Sequence, residues 1–213
     1  MQTTEYNDTP VDRLFIRLFS RKIAIALGQG TTLSGYDGFV DLSQQIMEGR
    51  NAKAQQAIVG VVLRSLVPSP VLGLIRTLFS PTQLVCELNA WFAALLFEWL
   101  VGPCQVAEAE VKDHNGQLRL QRSGVHIEKC RYLEQSGCVG MCINLCKLPT
   151  QDFFTQGFGI PLTMTPNFED LSCEMVFGQV PPPLETEAAY TQPCLALQCS
   201  TAQRAATPCP KIR

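Results

Sequence analysis

The sequence predicts an α+β protein, an N-terminal helical bundle packed on a small antiparallel β part that ends in a cysteine-rich segment. Three observations lead there. Residues 9–101 carry apolar residues at helical spacing, with repeated cap-and-proline starts. Residues 104–130 switch to short alternation around an Asn115-Gly116 pair, a strong hairpin signal. Residues 130–178 hold five of the ten cysteines. The change of texture at Gly102-Pro103 sets a boundary, giving a helical part at 5–103, a hairpin and cysteine-rich part at 104–183, and a loosely structured tail at 184–213.

In the helical part, Thr9, Pro10 and Asp12 mark a start: a hydroxyl cap, a proline suited to the first turn, and a carboxylate three residues after the cap. Val11, Leu14, Phe15 and Leu18 then form one stripe, and Gly28 is the natural stop. Gly35, Asp37 and Gly38 suggest a turn before a short helix through Phe39, Leu42 and Ile46, and a further helix is expected from Asn51 to about Leu66. Ser69-Pro70 and Ser80-Pro81 repeat one device, a capping hydroxyl before proline, with Gln83 completing a capping-box spacing from Ser80. The helix after them, 84–101, is apolar except at Glu87, Asn89 and Glu98. A spanning segment needs ~20 apolar residues and tolerates charge poorly, so this helix is expected to be buried or to touch a membrane surface.

Beyond the boundary, Leu118 and Leu120 have the opposite parity to Val125 and Ile127, and a bulge at Ser123-Gly124 would turn all four inward. His126, Glu128 and Cys130 would then project together on the other face, as a solvated face or as part of a polar or metal site. Thr150 is expected to cap a short helix through Phe153 and Phe154 that Gly157 ends. Pro161 and Pro166 make 160–170 an ordered loop in preference to a central strand. Leu171, Cys173, Met175 and Phe177 alternate onto one inward face.

Composition narrows the function. Charged residues make up 17%, net charge is −2 and 46% of residues are hydrophobic, while mean hydropathy is +0.08. Nucleic-acid binding wants a basic patch, so no nucleic-acid partner is expected and an apolar one fits better. Ten cysteines in 213 residues lie below the ~8–10% of a disulfide scaffold, which favours a reducing compartment. The start carries Glu5, Asp8 and Asp12, unlike an acid-poor transit peptide. Either a bacterial source or a targeting segment absent from this sequence is therefore expected. There is no nucleophile elbow, phosphate loop or dinucleotide fingerprint, and the two histidines are His114 and His126.

Cys138, Cys142 and Cys146 follow one another at spacings of four, and four residues on a helix rotate the side chain by only about 40°. Soft thiolates so arranged suit zinc, iron or an iron–sulfur cluster. Yet Cys138 and Cys146 would lie ~12 Å apart along a straight helix. Sulfurs on one ion stand no more than ~4.6 Å apart. Either the segment is broken near Gly140, or one adjacent pair joins Cys173 or a tail cysteine. Spacing alone leaves a metal site and merely buried or paired thiols as equal alternatives.

The motifs VHIEKCRYLEQSGCVGMCINLCKLPTQDFF, GIPLTMTPNFEDLSCEMVFGQVPPP and QPC, with SGYDGF, LIRTLF and WLVGP upstream, resemble the beta-carotene isomerase family of strigolactone biosynthesis, the Dwarf-twenty-seven-like proteins. The resemblance covers most of 5–199. It implies an iron-dependent cis/trans isomerase of carotenoids, interconverting all-trans- and 9-cis-beta-carotene, with iron as a single ion or an iron–sulfur cluster. By motif match, Cys130, Cys138, Cys142, Cys146, Cys173 and Cys194 are the implied iron ligands. Cys199 follows Cys194 at five, where the family has four, and Cys86, Cys104 and Cys209 match no family position. The implied partners are the carotenoid, a peripheral membrane surface and a downstream carotenoid cleavage enzyme, and the implied location is cytoplasmic or thylakoid-associated in a bacterium and the chloroplast if the source is eukaryotic. The competing expectation is a non-enzymatic carotenoid- or iron–sulfur-binding protein with a structural metal site.

Overall fold

In the computed structural model, the described residues are 4–78, 80–112, 116–187, 189, 192 and 195. Asn115, on which the hairpin-turn expectation rests, His114 and Cys194 lie outside them. Helix α1 (Pro10–Leu27) starts on a complete capping box: the Thr9 amide donates to Asp12 Oδ2 at 2.8 Å, and the Asp12 amide donates to Thr9 Oγ1 at 3.2 Å. Gly28 ends it in the left-handed region at φ 70°. Helix α2 (Gly35–Met47) begins earlier than the glycines suggested, and Gly38 sits inside its first turn because a Cβ there would stand 2.6 Å from the Leu33 carbonyl oxygen. Asn51 caps α3 (Ala52–Arg64) through the Ala54 amide.

Helix α4 (Ser69–Leu78) starts at its serine. Helix α5 (Gln83–Leu96) is capped by Thr82, whose hydroxyl accepts from the Val85 amide, and not by Ser80. Phe97 breaks the expected long helix, leaving α6 (Glu98–Val101) as a separate turn. Trp99 of α6 packs against Phe15 and Phe19 of α1 and Phe39 of α2, which joins these helices into one apolar body.

Strands β1 (Cys104–Lys112), β2 (Leu118–Ile127), β3 (Leu162–Pro166) and β4 (Cys173–Phe177) form an antiparallel sheet in the order β1-β2-β4-β3. The register shifts between the pairs Ala107↔Gly124 and Ala109↔Gln121, so two residues of β2, Arg122 and Ser123, face one of β1. The bulge is present, yet it does not bring the leucines inward: Leu118 and Leu120 are 60% and 61% exposed while Gln121, Ser123, Val125 and Ile127 are buried. The reason is parity. Residues 121, 123, 125 and 127 keep one unbroken alternation through the bulge, so Leu118 and Leu120 stay on the opposite face. The segment expected as a loop forms β3, which lies on the sheet edge with Pro166 last, where a missing N–H costs no ladder bond.

Between the strands run α7 (Arg131–Ser136) and a continuous helical stretch: α8 (Val139–Met141), a π-helix π1 (Cys142–Lys147), α9 (Leu148–Asp152) and a second π-helix π2 (Phe153–Phe158). Pro149 would ordinarily end a helix, and Thr150 was expected to cap a new one. Instead, wider i→i+5 turns flank the proline on both sides, and such a register change lets a ladder continue past a residue with no N–H. The stretch ends at Gly159, with φ 74°, and not at Gly157. One cluster of buried residues runs from Ile16 and Phe39 through Val125 and Ile127 to Cys142 and Phe177, uniting the helices, the hairpin and the cysteine segment.

Candidate functional site

Each cysteine of the motif reaches its position by a different route. Cys173 opens β4 opposite Ile127 and Pro166. Cys130 follows β2 after a short turn and precedes the first residue of α7, and its amide donates to the Leu171 carbonyl at 2.7 Å. Leu171 holds a positive φ of 67°, a strained setting for a branched residue, and it is the carbonyl so aimed that tethers Cys130. That turn carries Cys130 inward, so it does not share a face with His126 and Glu128 as expected. His126 instead pairs with Glu174 across β2 and β4 on the outer face, and His126, Glu128 and Asp170 border an open surface hollow.

Cys142 and Cys146 lie on π1. Together with Cys130 and Cys173 they line one small apolar cavity, closed by Val101, Ile127, Tyr132, Met164 and Lys147 among others. At about 10 Å³ it holds about one water-sized body. Cys138 is fully buried before α8, with extended backbone, and is not among the residues lining this cavity. The break in the four-and-four run therefore falls at Cys138 itself. Cys86 lies on α5 near Gly178, and the Cys104 thiol donates to the Ala94 carbonyl at 3.3 Å, both away from the chamber.

The chamber holds its thiols neutral. Burial pushes Cys130 up to about 11 and Cys146 up to about 12. Cys142 and Cys173 are raised well above the ordinary thiol value, first by burial and then by each other's neighbouring sulfurs, with Lys147 opposing the rise. Lys147 is itself buried, at 1% exposure. Its ammonium pairs with Glu187 Oε2 at 2.7 Å and donates to the Met164 carbonyl. Asn144, one turn back, donates to Gln55 Oε1 of α3 at 2.8 Å, a buried polar tie between π1 and the helical bundle. Lys147 and Tyr132 escaped the motif reading. The available signal was a single lysine inside the run INLCKL, where a charge has no reason to stand unless it is partnered.

Among the described residues, no three His, Cys, Asp or Glu side chains are drawn together closely enough to hold a metal ion as they stand. The donor set nonetheless fits a thiophilic metal: four sulfurs face one water-poor space, and a metal that replaced their protons would relieve the mutual cost of ionising them.

The family model described as Beta-carotene isomerase D27-like, C-terminal, matches residues 99–186, the segment that contains β1 to β4 and the whole chamber. A protein of Medicago truncatula named chloroplastic beta-carotene isomerase D27 is 41% identical over 98% of this chain and 80% of its own length. The chain belongs to the beta-carotene isomerase D27-like family. A protein of the same name from Arabidopsis thaliana is 40% identical over 88% of this chain and 70% of its own length. No solved structure matches the chain. The D27-like match ends at residue 186, next to the Glu187 that pairs with Lys147.

Proposed function

We propose that this protein is a carotenoid cis/trans isomerase, that it interconverts all-trans- and 9-cis-beta-carotene, and that it uses iron held by Cys130, Cys142, Cys146 and Cys173. The observation that carries this reading is the convergence of four motif cysteines on one apolar cavity in a chain of the D27-like family. Cys138 and Cys194 remain further candidates, the first buried in the same core as the chamber and the second outside the described residues. Rotation about a polyene double bond needs temporary loss of its π character. Iron bound by thiolates would supply one-electron exchange there, at a potential set by burial and hydrogen bonding. The chain's own residues do the rest. Ile127, Met164 and Val101 exclude water, Lys147 holds a fixed positive charge beside the sulfurs, and the buried Tyr132 hydroxyl stays protonated, raised first by burial.

Beta-carotene resides in lipid, and the outer face of α5 suits a lipid surface. Leu84, Leu88, Trp91, Phe92, Leu95 and Leu96 are all exposed there, and Trp91 and Phe92 stack edge to face. Single exposed apolar residues are ordinary, but a contiguous set marks a docking surface, and tryptophan favours the membrane–water interface. No helix among the described residues is long and apolar enough to cross a membrane, so peripheral attachment is the form proposed. The site of action would be a plastid membrane in a plant or a thylakoid in a bacterium. The product would pass to a carotenoid cleavage enzyme.

The test is turnover. Anaerobically purified protein given all-trans-beta-carotene in vesicles should shift the isomer ratio, read by chromatography, in proportion to thiol-bound iron. Iron and carotenoid retained without any change of isomer ratio would overturn the enzyme and leave a binding protein.

A further inference from the structure

A second cavity lies against the chamber. It is enclosed by α1, α2, α3, α6 and π1, has a volume of about 60 Å³, and is walled by Phe19, Ile23, Val59, Val62, Leu63 and Phe97 among others. Two residues line both cavities: Cys146 and Tyr132. Of the four chamber cysteines, Cys130, Cys142 and Cys173 are buried, whereas Cys146 is partly exposed. We propose that this cleft receives the polyene chain of the substrate and that Cys146, with Tyr132 beside it, is the surface the chain lies against. The proposal rests on the isomerase reading and adds to it a location and an order among the thiols.

Polarity and size both point to a slender hydrocarbon. The polar side-chain atoms on the cleft wall come from Ser43, Thr150, Tyr132 and Cys146, and Ser43 Oγ is already bonded to the Phe39 carbonyl at 2.9 Å. A ligand that needed hydrogen bonds would find few to make, whereas a bare polyene needs none. The volume is far below the ~300–1,000 Å³ of a pocket that engulfs a drug-sized ligand. It takes a stretch of chain, with the remainder lying along the seam of α1 and α3, where Phe19, Val59 and Leu63 are only partly buried. The placement separates two tasks: Cys130, Cys142 and Cys173 face only the chamber, while Cys146 also faces the chain.

The experiment uses the full chain with beta-carotene in vesicles and reads the circular dichroism that an achiral polyene acquires when bound in a chiral cleft. Leu63→Trp, which fills the mouth, should reduce the induced signal and turnover together by about tenfold, with iron content and thermal midpoint kept. Val61→Trp, on the exposed side of the same helix and outside the cleft wall, should retain both. In metal-free, reduced wild-type protein, bound carotene should slow labelling of Cys146 by an apolar maleimide by about tenfold. An undiminished induced signal in Leu63→Trp, or labelling of Cys146 indifferent to carotene, overturns the cleft assignment even if isomerisation proceeds. Carotene protection of Cys146 in a protein that never changes the isomer ratio supports the cleft and overturns the isomerase reading instead.

Discussion

Helix α5 and the π1 turn are built on opposite plans. On α5 the large apolar residues face outward, with Trp91 53% exposed, and the inward face is made of small residues, Cys86, Ala90 and Ala93. On π1 the polar residues are the hidden ones: Asn144 and Lys147 are buried as deeply as any leucine, beside Cys142. Each arrangement costs stability by the ordinary rule that apolar groups go in and charges stay out. The proposed isomerase would need such a division, a surface for meeting an apolar medium apart from an interior for chemistry. Strand β4 follows the ordinary rule, with Cys173, Met175 and Phe177 buried and Glu174 exposed.

The contrast breaks most sharply if the chamber sulfurs are exchangeable with those elsewhere. Cys142→Ser and Cys173→Ser are expected to abolish both iron binding and turnover, because serine keeps the size and loses the soft donor. Cys86→Ser on α5 should leave both nearly intact. Iron analysis and isomer chromatography on the same samples decide it, and retained iron with full turnover in Cys142→Ser would falsify the assignment.

Next in size is the buried charge. Lys147→Met leaves Glu187 without its cation in a largely buried setting and should destabilise the fold by about 3–5 kcal/mol, whereas Lys147→Met with Glu187→Leu should recover much of the loss. Denaturant midpoints measure both. If the single variant costs nothing, π1 tolerates solvent and the comparison with α5 fails. On the outer helix the expectation is reversed: Trp91→Glu should weaken vesicle co-sedimentation by about tenfold while leaving the thermal midpoint unchanged. A fall in stability with unchanged sedimentation would mean that this face is core and not contact surface.

The smallest effect concerns pH. Thiols whose folded values lie near 11 and 12, above an ordinary value of 9, favour the folded state while neutral. Their contribution is fully present below pH 9 and is lost as pH rises through the folded values. Metal-free reduced protein should therefore lose thermal stability between about pH 9 and 12, and Cys146→Ala should flatten that decline. Cys86 on α5 is also raised to about 11 by burial, so Cys86→Ala should remove one thiol's share, less than the four of the chamber combined.

How much of this was legible depends on whether a feature is local. Thr9 with Asp12, Asn51 before α3 and the alternation of β4 act within a few residues, and the structure has them as the sequence indicates. Leu118 and Leu120 misled because a bulge was expected to reverse the parity, whereas 121, 123, 125 and 127 keep one alternation and leave the leucines on the other face. The π-turns were invisible because spacings of four fit an α-helix equally well. Edge strand β3 was hidden by its two prolines, which exclude a central strand but not an edge. At the site, the clustered cysteines could be named, but their sorting could not. Cys130 turns inward because a carbonyl distant in sequence holds its amide, and Cys138 is set apart by extended backbone before a three-residue helix.

The bond from the Cys130 amide to the Leu171 carbonyl, 2.7 Å long, also makes the chamber observable. Leu171 and Cys173 share one short stretch of chain, so parting Cys130 from Cys173 requires that bond to open, and an amide exchanges its proton with water only when open. Exchange of this single hydrogen is thus a clock for the chamber as a whole. It runs in protein of any metal content and needs no chromophore, and its slowing when a metal is added would time how tightly the two walls are drawn together.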